Sequence, residues 1–274
     1  MTAHDVVVGV DGTLVAVRAL DWAADEAVRR GATLRIVYAA PDADEAAPIL
    51  ASAATRIHER HFGLPTETTA AEGDAVRALA RESEHAALTV VGTRGFGGVT
   101  GLQFGSVSLR LAARVHGPLV VVRGDHPCDG EVLLGLADDA HADVAAYAFQ
   151  EAERRGARLR VLHSWTHRHT TPELPSPLPA TSPGQRQLAQ QDRAEEAVPR
   201  FSIAGLRERY PEVEVEPRTV RTSPAHALLE ATRDASVVVI GAQRHASWHR
   251  PRLGPVTHTL LHRSHCPVVV VPTG

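Results

Sequence analysis

Short apolar runs recur along the chain, mostly without the polar alternation of a half-exposed strand. They read VVVGV (6–10), LRIVYA (34–39), LTVVG (88–92) and LVVV (119–122), then VLLGL (132–136), LRVLH (159–163), VVVIG (237–241) and VVVV (268–271). Runs of this length and character predict strands buried on both faces. Weaker β patterns at Glu67–Ala71 and Val213–Val220 complete five strands in each half. Between the strands lie Ala- and Arg-rich segments of helical period, such as LVAVRALDWAADEAVRR (14–30), GDAVRALARES (73–83) and SPAHALLEATR (223–233). Asp74 and Ser223 stand where an N-cap is expected. Alternating strands and helices predict an α/β fold with parallel, doubly wound sheets and right-handed crossovers.

The pattern occurs twice. Gly9 matches Gly135, RRGA at 29–32 matches RRGA at 154–157, and HGPLVVVRG (116–124) matches SHCPVVVVPTG (264–274). Matched glycines lie 125 apart at Gly31/Gly156 and 149 apart at Gly92/Gly241, so the second half carries about 24 extra residues. These fall in a Pro/Ser/Thr-rich stretch near 167–185 that reads as a loop. The expected domains are 1–125 and 131–274. The fifth run of each half is apolar, β-branched and without a charge to blunt it, which is hazardous at a sheet edge. Pairing one with the other removes the hazard. The expected architecture is therefore two five-stranded domains joined through their last strands as an internal pseudo-dimer. A homodimer of the tandem chain stays open.

The candidate chemistry lies after the first and fourth strands. Ligands of open parallel sheets sit outside the carboxyl ends of the strands, where strand order reverses. Strand one ends in Val10-Asp11-Gly12-Thr13, and strand four runs into VGTRGFGGVTGLQFGS (91–106). Glycines allow close backbone approach, and a helix starting near Gly105-Ser106 adds free N–H donors, a combination suited to phosphate. A Walker A loop is excluded because the chain has no Lys. A dinucleotide fingerprint begins at Gly95 and Gly97 but meets Thr100 where its third glycine belongs.

The spacing that is present, Gly92-x(2)-Gly95-x(9)-Gly105-Ser106, matches in full the nucleotide signature of the universal stress protein family. VVVGVDGT, WAADEAVRRGATLRIVYA and GPLVVVR resemble that family too, and the resemblance covers both halves apart from the Pro-rich stretch. It implies a tandem member whose first half binds ATP, with a divalent cation such as Mg2+ accompanying the triphosphate. By the resemblance, Asp11 sits beside the adenosine and strand-two backbone around Val37 and Ala39 contacts the base. Gly92, Gly95, Gly105 and Ser106 hold ribose and phosphates. Gly12 and Thr13 belong to the same loop, Thr13 offering an extra hydroxyl. Arg94 either approaches phosphate or is a solvated loop charge. Gly97, Gly98 and Gly101 serve the loop's conformational freedom.

The second half departs from the pattern. Ala137 replaces Asp11, although Asp138 follows; Arg244 stands at the second glycine, after Gly241; and Pro255 follows Gly254 where Ser or Thr belongs. Proline suits the first turn of a helix but lacks an N–H donor. The site reads as degenerate, the alternative being an altered anion site using Arg244, Arg250 and Arg252.

Composition narrows the functional classes. Apolar residues make up 43% of 274, and the formal net charge is −3, so no basic field points to nucleic acid. The N-terminus lacks a charged segment followed by an apolar one, and no apolar run is long enough for a membrane span, which implies a cytoplasmic protein. Two cysteines, Cys128 and Cys266, make no disulfide framework. His258, His262 and His265 read as a polar helix face with His265 beyond its end. There is no nucleophile elbow or HExxH, so no catalytic residue and no metal ligand is assigned. The leading reading is an ATP-binding regulatory protein of stress response with an unidentified protein partner. The alternatives are a non-catalytic scaffold with a vestigial site, and an ATP-dependent enzyme of related fold, for which the first loop offers only Asp11 and Thr13.

Overall fold

The computed structural model describes residues 5–40, 45–93, 106–123, 130–136, 142–166, 183–243 and 253–273. The first half runs β1 (Asp5–Val10), α1 (Leu14–Arg30), β2 (Leu34–Ala40), α2 (Ala46–Arg60), β3 (Thr66–Glu72), α3 (Ala75–Glu82), β4 (Ala86–Gly92), α4 (Ser106–Ala112) and β5 (Leu119–Val122). The second runs β6 (Glu131–Leu136), α5 (Ala142–Arg155), β7 (Leu159–Ser164), α6 (Pro183–Ser202), α7 (Ala204–Arg209), β8 (Val215–Val220), α8 (Pro224–Ala231), β9 (Ala235–Gln243), α9 (Pro255–Arg263) and β10 (Val268–Thr273). The boundary predicted between 125 and 131 lies almost wholly outside the described residues.

All strands join one ten-stranded sheet in the order β3-β2-β1-β4-β5-β10-β9-β6-β7-β8. Every pairing is parallel except the central one, where Val121, Val120 and Leu119 lie antiparallel against Val268, Val269 and Val270. The pairing expected of the last strands is therefore present, and all six of these side chains are fully buried. Burial of a valine or leucine contributes about 1.5–3 kcal/mol, so this seam is a strong apolar join. The outer edges need no such cover. β3 carries Glu67 and Glu72, and β8 carries Glu216, Pro217 and Arg218, which blunt pairing with another chain.

Helices cover both faces. One layer holds α1, α2, α5 and the α6–α7 region; the other holds α3, α4, α8 and α9. The repeated RRGA motif ends α1 and α5 alike, with Gly31 at φ 59° and Gly156 at φ 57°, the left-handed conformation that glycine adopts freely. Asp74 caps α3 by accepting from the Arg77 amide at 3.1 Å. Ser223 sits at the N-cap of α8 but makes no such side-chain bond, and Pro224 takes the first helical position instead.

Where α1 meets α5, the motif does more than end helices. Arg30 binds Glu26 at 2.6 Å and Glu151 at 2.9 Å; Arg155 binds Glu151 at 2.6 Å and Glu26 at 3.0 Å. Arg30 also donates to the Tyr147 hydroxyl at 3.0 Å, and Arg155 lies over the Trp22 ring. Both carboxylates are inaccessible to solvent. Burial alone would raise the Glu26 carboxyl, but Arg30, Arg155 and Arg29 together outweigh it and hold it below the usual carboxylate range.

Removing one member of this quartet leaves a buried charge without its partner. Arg30→Ala is expected to cost about 3–5 kcal/mol, read as a fall in the urea midpoint. Because the folded-state Glu26 carboxyl is lowered, its stabilisation is complete above the ordinary carboxylate range and is lost on acidification. The wild-type midpoint therefore falls between about pH 7 and about pH 3, and Glu26→Gln makes that fall shallower.

Candidate functional site

The strand order reverses between β1 and β4, which are direct neighbours in the first half. Their carboxyl ends bring Asp11-Gly12-Thr13 and Gly92 to one crevice. Asp11 Oδ1 accepts from the Thr13 amide at 3.0 Å and from its hydroxyl at 2.6 Å. The Thr13 hydroxyl accepts in turn from the Ala16 amide at 3.3 Å, capping α1. Gly12 turns the chain at φ 76°, and a Cβ there would lie 3.3 Å from Ile49 of α2. The tight loop is thus shaped by a left-handed glycine, a carboxylate bound back onto the chain and a helix packed beneath it. Tyr38, one residue from Ala39, is buried, and burial together with Glu45 and Asp11 raises its hydroxyl pKa.

The strand-two residues differ in what they leave open. Val37 is buried, and its neighbours Gly9 and Thr69 pair it on both sides. Ala39 is half-buried and pairs with Ala71 of β3, while β1 ends its ladder one residue earlier, at Val10–Tyr38. The backbone edge of Ala39 toward β1 therefore lies past the end of that ladder.

Gly92 has a structural reason that the sequence did not reveal. A Cβ on it would fall 2.8 Å from Val15 Cγ1 and 3.0 Å from the Val15 carbonyl oxygen, in the first turn of α1. Ser106 opens α4, which is tied to the α3 cap: Arg110 reaches the second carboxylate oxygen of Asp74 at 3.3 Å. The Arg77 amide and Arg110 outweigh burial and hold Asp74 below its ordinary pKa. Arg94, Gly95 and Gly105, with Gly97, Gly98 and Gly101, lie outside the described residues.

In the second half, Gly241 lies in β9 paired with Val271, and Gly254 is the N-cap of α9 with Pro255 at its first position. Among the described residues, nothing lies within 4 Å of a Cβ on Gly254. The positions matching Asp74 and Arg110 are Ser223 and Thr259, so the tie between α3 and α4 has no counterpart in kind. Asp138, Arg244, Arg250 and Arg252 lie outside the described residues.

The universal stress protein family profile matches residues 2–62, 50–123 and 131–272. The chain belongs to the universal stress protein family. Its relatives are of the same tandem length. A universal stress protein of Mycolicibacterium smegmatis is 32% identical over 98% of this chain and 97% of its own. One from Mycobacterium tuberculosis is 30% identical over 97% of this chain and 96% of its own. Among solved structures, a universal stress protein from Archaeoglobus fulgidus aligns with a TM-score of 0.65 at 16% identity over all of both chains, a likeness of fold.

For this universal stress protein, His258 and His262 stack on α9 with ring centroids 4.3 Å apart, and Ser264 ends the helix before His265. Burial, His258 and Arg123 lower the His262 pKa. No group of three or more metal-ligating side chains occurs among the described residues, and no described helix is long and apolar enough to cross a membrane. Cys266 is a buried free thiol, pushed up to about 12 by burial.

Gly92 of the first-half signature and Gly254 of the second-half copy respond differently to a side chain. Gly92→Ala forces the first turn of α1 to shift and costs about 1–3 kcal/mol. Gly254→Ser has open space and an extended N-cap backbone, so its stability stays within about 0.5 kcal/mol of wild type or improves. Denaturation of both variants checks the contrast.

Proposed function

We propose that this chain is an ATP-binding regulatory protein of the stress response, built of domains 1–125 and 131–274, with nucleotide held by the first. One observation carries the reading. An intact Gly92-x(2)-Gly95-x(9)-Gly105-Ser106 signature leaves the sheet at Gly92, beside the Asp11–Thr13 loop, where the strand order reverses. Family membership supports the stress-related role.

In this reading Asp11 Oδ1 stays with Thr13 and Oδ2 serves the nucleoside. Ala39 offers backbone to the base past the end of the β1 ladder, and Val37 holds that strand in register. Gly12, Gly95, Gly105 and Ser106 give the ribose and phosphates close access to backbone and hydroxyl groups, and Arg94 adds charge. Mg2+ rides on the triphosphate. Hydrolysis is slow, because the chain has no Lys to set against the phosphates and Asp11 is already committed to Thr13. Regulation follows from linkage: nucleotide binding one conformation better than another shifts the population toward it, and with it the affinity for a cytoplasmic protein partner.

The second half favours a vestigial site. Pro255 removes an N–H at the first turn of α9, and Gly254 adds no cap. If the first site were vestigial as well, the chain would be a scaffold.

Mass spectrometry of nucleotide released from the purified protein, with titration of wild type and Gly105→Val, tests the reading. About one ATP per chain in wild type, lost in Gly105→Val, is expected. Two per chain contradicts the degenerate second site, and none in wild type leaves the scaffold.

A further inference from the structure

We propose that α6 is a proton-controlled clasp, held on the sheet of the second half by His163 and Glu195 and released as the pH rises. His163 is buried at the carboxyl end of β7, on the same face as Leu159 and Val161. Its Nε2 lies 2.9 Å from Glu195 Oε2 on α6, and its Nδ1 lies 3.3 Å from the Leu136 carbonyl oxygen on β6. A carbonyl oxygen only accepts, and so does an ionised carboxylate. Both contacts are hydrogen bonds only when the His–Glu pair holds one proton more than a neutral ring and a carboxylate. Loss of that proton sets lone pair against lone pair at one of the two nitrogens.

Among the described residues, α6 meets the sheet differently from its counterpart in the first half. The matching helix α2 buries Ala46, Leu50, Ala53 and Ile57. The described side chains of α6 offer a half-buried Val198 and a buried Pro199, while Phe201 is 79% exposed. Pro199 has no N–H to donate to the carbonyl of Glu195 four residues earlier, so the helix is weakened in the turn that carries the latch.

No other described charge satisfies the ring. On α6, Arg193, Glu196 and Arg200 are exposed; on α5, Asp143 is exposed, and Glu151, Arg154 and Arg155 belong to the ion cluster with α1. The neighbour across β8 is Thr219. With one proton more in the closed state than in the open one, closing weakens as the pH rises, by at most about tenfold per pH unit.

Hydrogen–deuterium exchange of the full chain between about pH 6 and about pH 8 tests this, with α2 peptides as the internal reference for intrinsic exchange. Protection of residues 193–202 relative to α2 is expected to fall with pH in wild type and to stay flat in Glu195→Gln, whose half-exposed position tolerates the change. Ring nitrogen NMR shifts of His163, read with the carboxyl carbon shift of Glu195, should report the extra proton on the pair on the closed side. A constant ratio in wild type, an equal fall in Glu195→Gln, or a singly protonated ring facing an ionised Glu195 in an intact clasp overturns the proposal.

Discussion

The antiparallel join of β5 to β10 is the constraint on which the rest of the molecule depends. Each half ends in an apolar strand with nothing to blunt its edge, and the two cover each other along Val120–Val269 and its neighbours. Once that seam closes, α1 and α5 lie against one another, and the same repeated Glu and Arg positions meet across the pseudo-twofold. The apolar seam supplies most of the driving force. The Glu26–Arg30–Glu151–Arg155 quartet adds direction, because buried charges tolerate few arrangements. Arg123, just past β5, reinforces the join by donating to the Leu261 carbonyl of α9 at 3.1 Å.

Symmetry at the centre contrasts with asymmetry at the crevices. In the first half, the loop after β1 is closed by Asp11 and Thr13, and α4 is tied to α3 through Arg110 and Asp74. In the second, those positions carry Ala137, Asp139, Thr259 and Ser223. A duplicated fold needs its seam in both copies, whereas the loops at the ends of the strands carry no such demand and are free to diverge separately.

The helices that follow the second strand show the same division. α2 buries an apolar stripe, while the described part of α6 meets β7 through Glu195 and His163, with Pro199 one turn on. His163 stands where the first half has Tyr38. Apolar burial changes little with pH, and a shared proton changes a great deal, so the proposed clasp gives the second half an element that responds to conditions.

Much of this was legible in the residues alone. Bare Val and Leu runs between helical segments indicate strands buried on both faces, their twofold recurrence implies tandem domains, and unblunted last strands favour pairing with each other. Glycine spacing singled out a candidate loop, and the missing Lys excluded a Walker site. Other features had no local signal. RRGA reads as a helix end, and nothing within one repeat says that its Arg will meet the other repeat's Glu. Gly92 reads as a ligand glycine, yet its nearest obstacle is Val15, far away in sequence. Glu195 is one acid among several on a polar helix until His163 lies 2.9 Å away. Sequence by itself determined what depends on periodicity and composition: strand burial, repeat architecture and the candidate loop. Only the tertiary structure decided which charges and close approaches pair across long separations, because those contacts are created by the sheet order and not by any neighbouring residue.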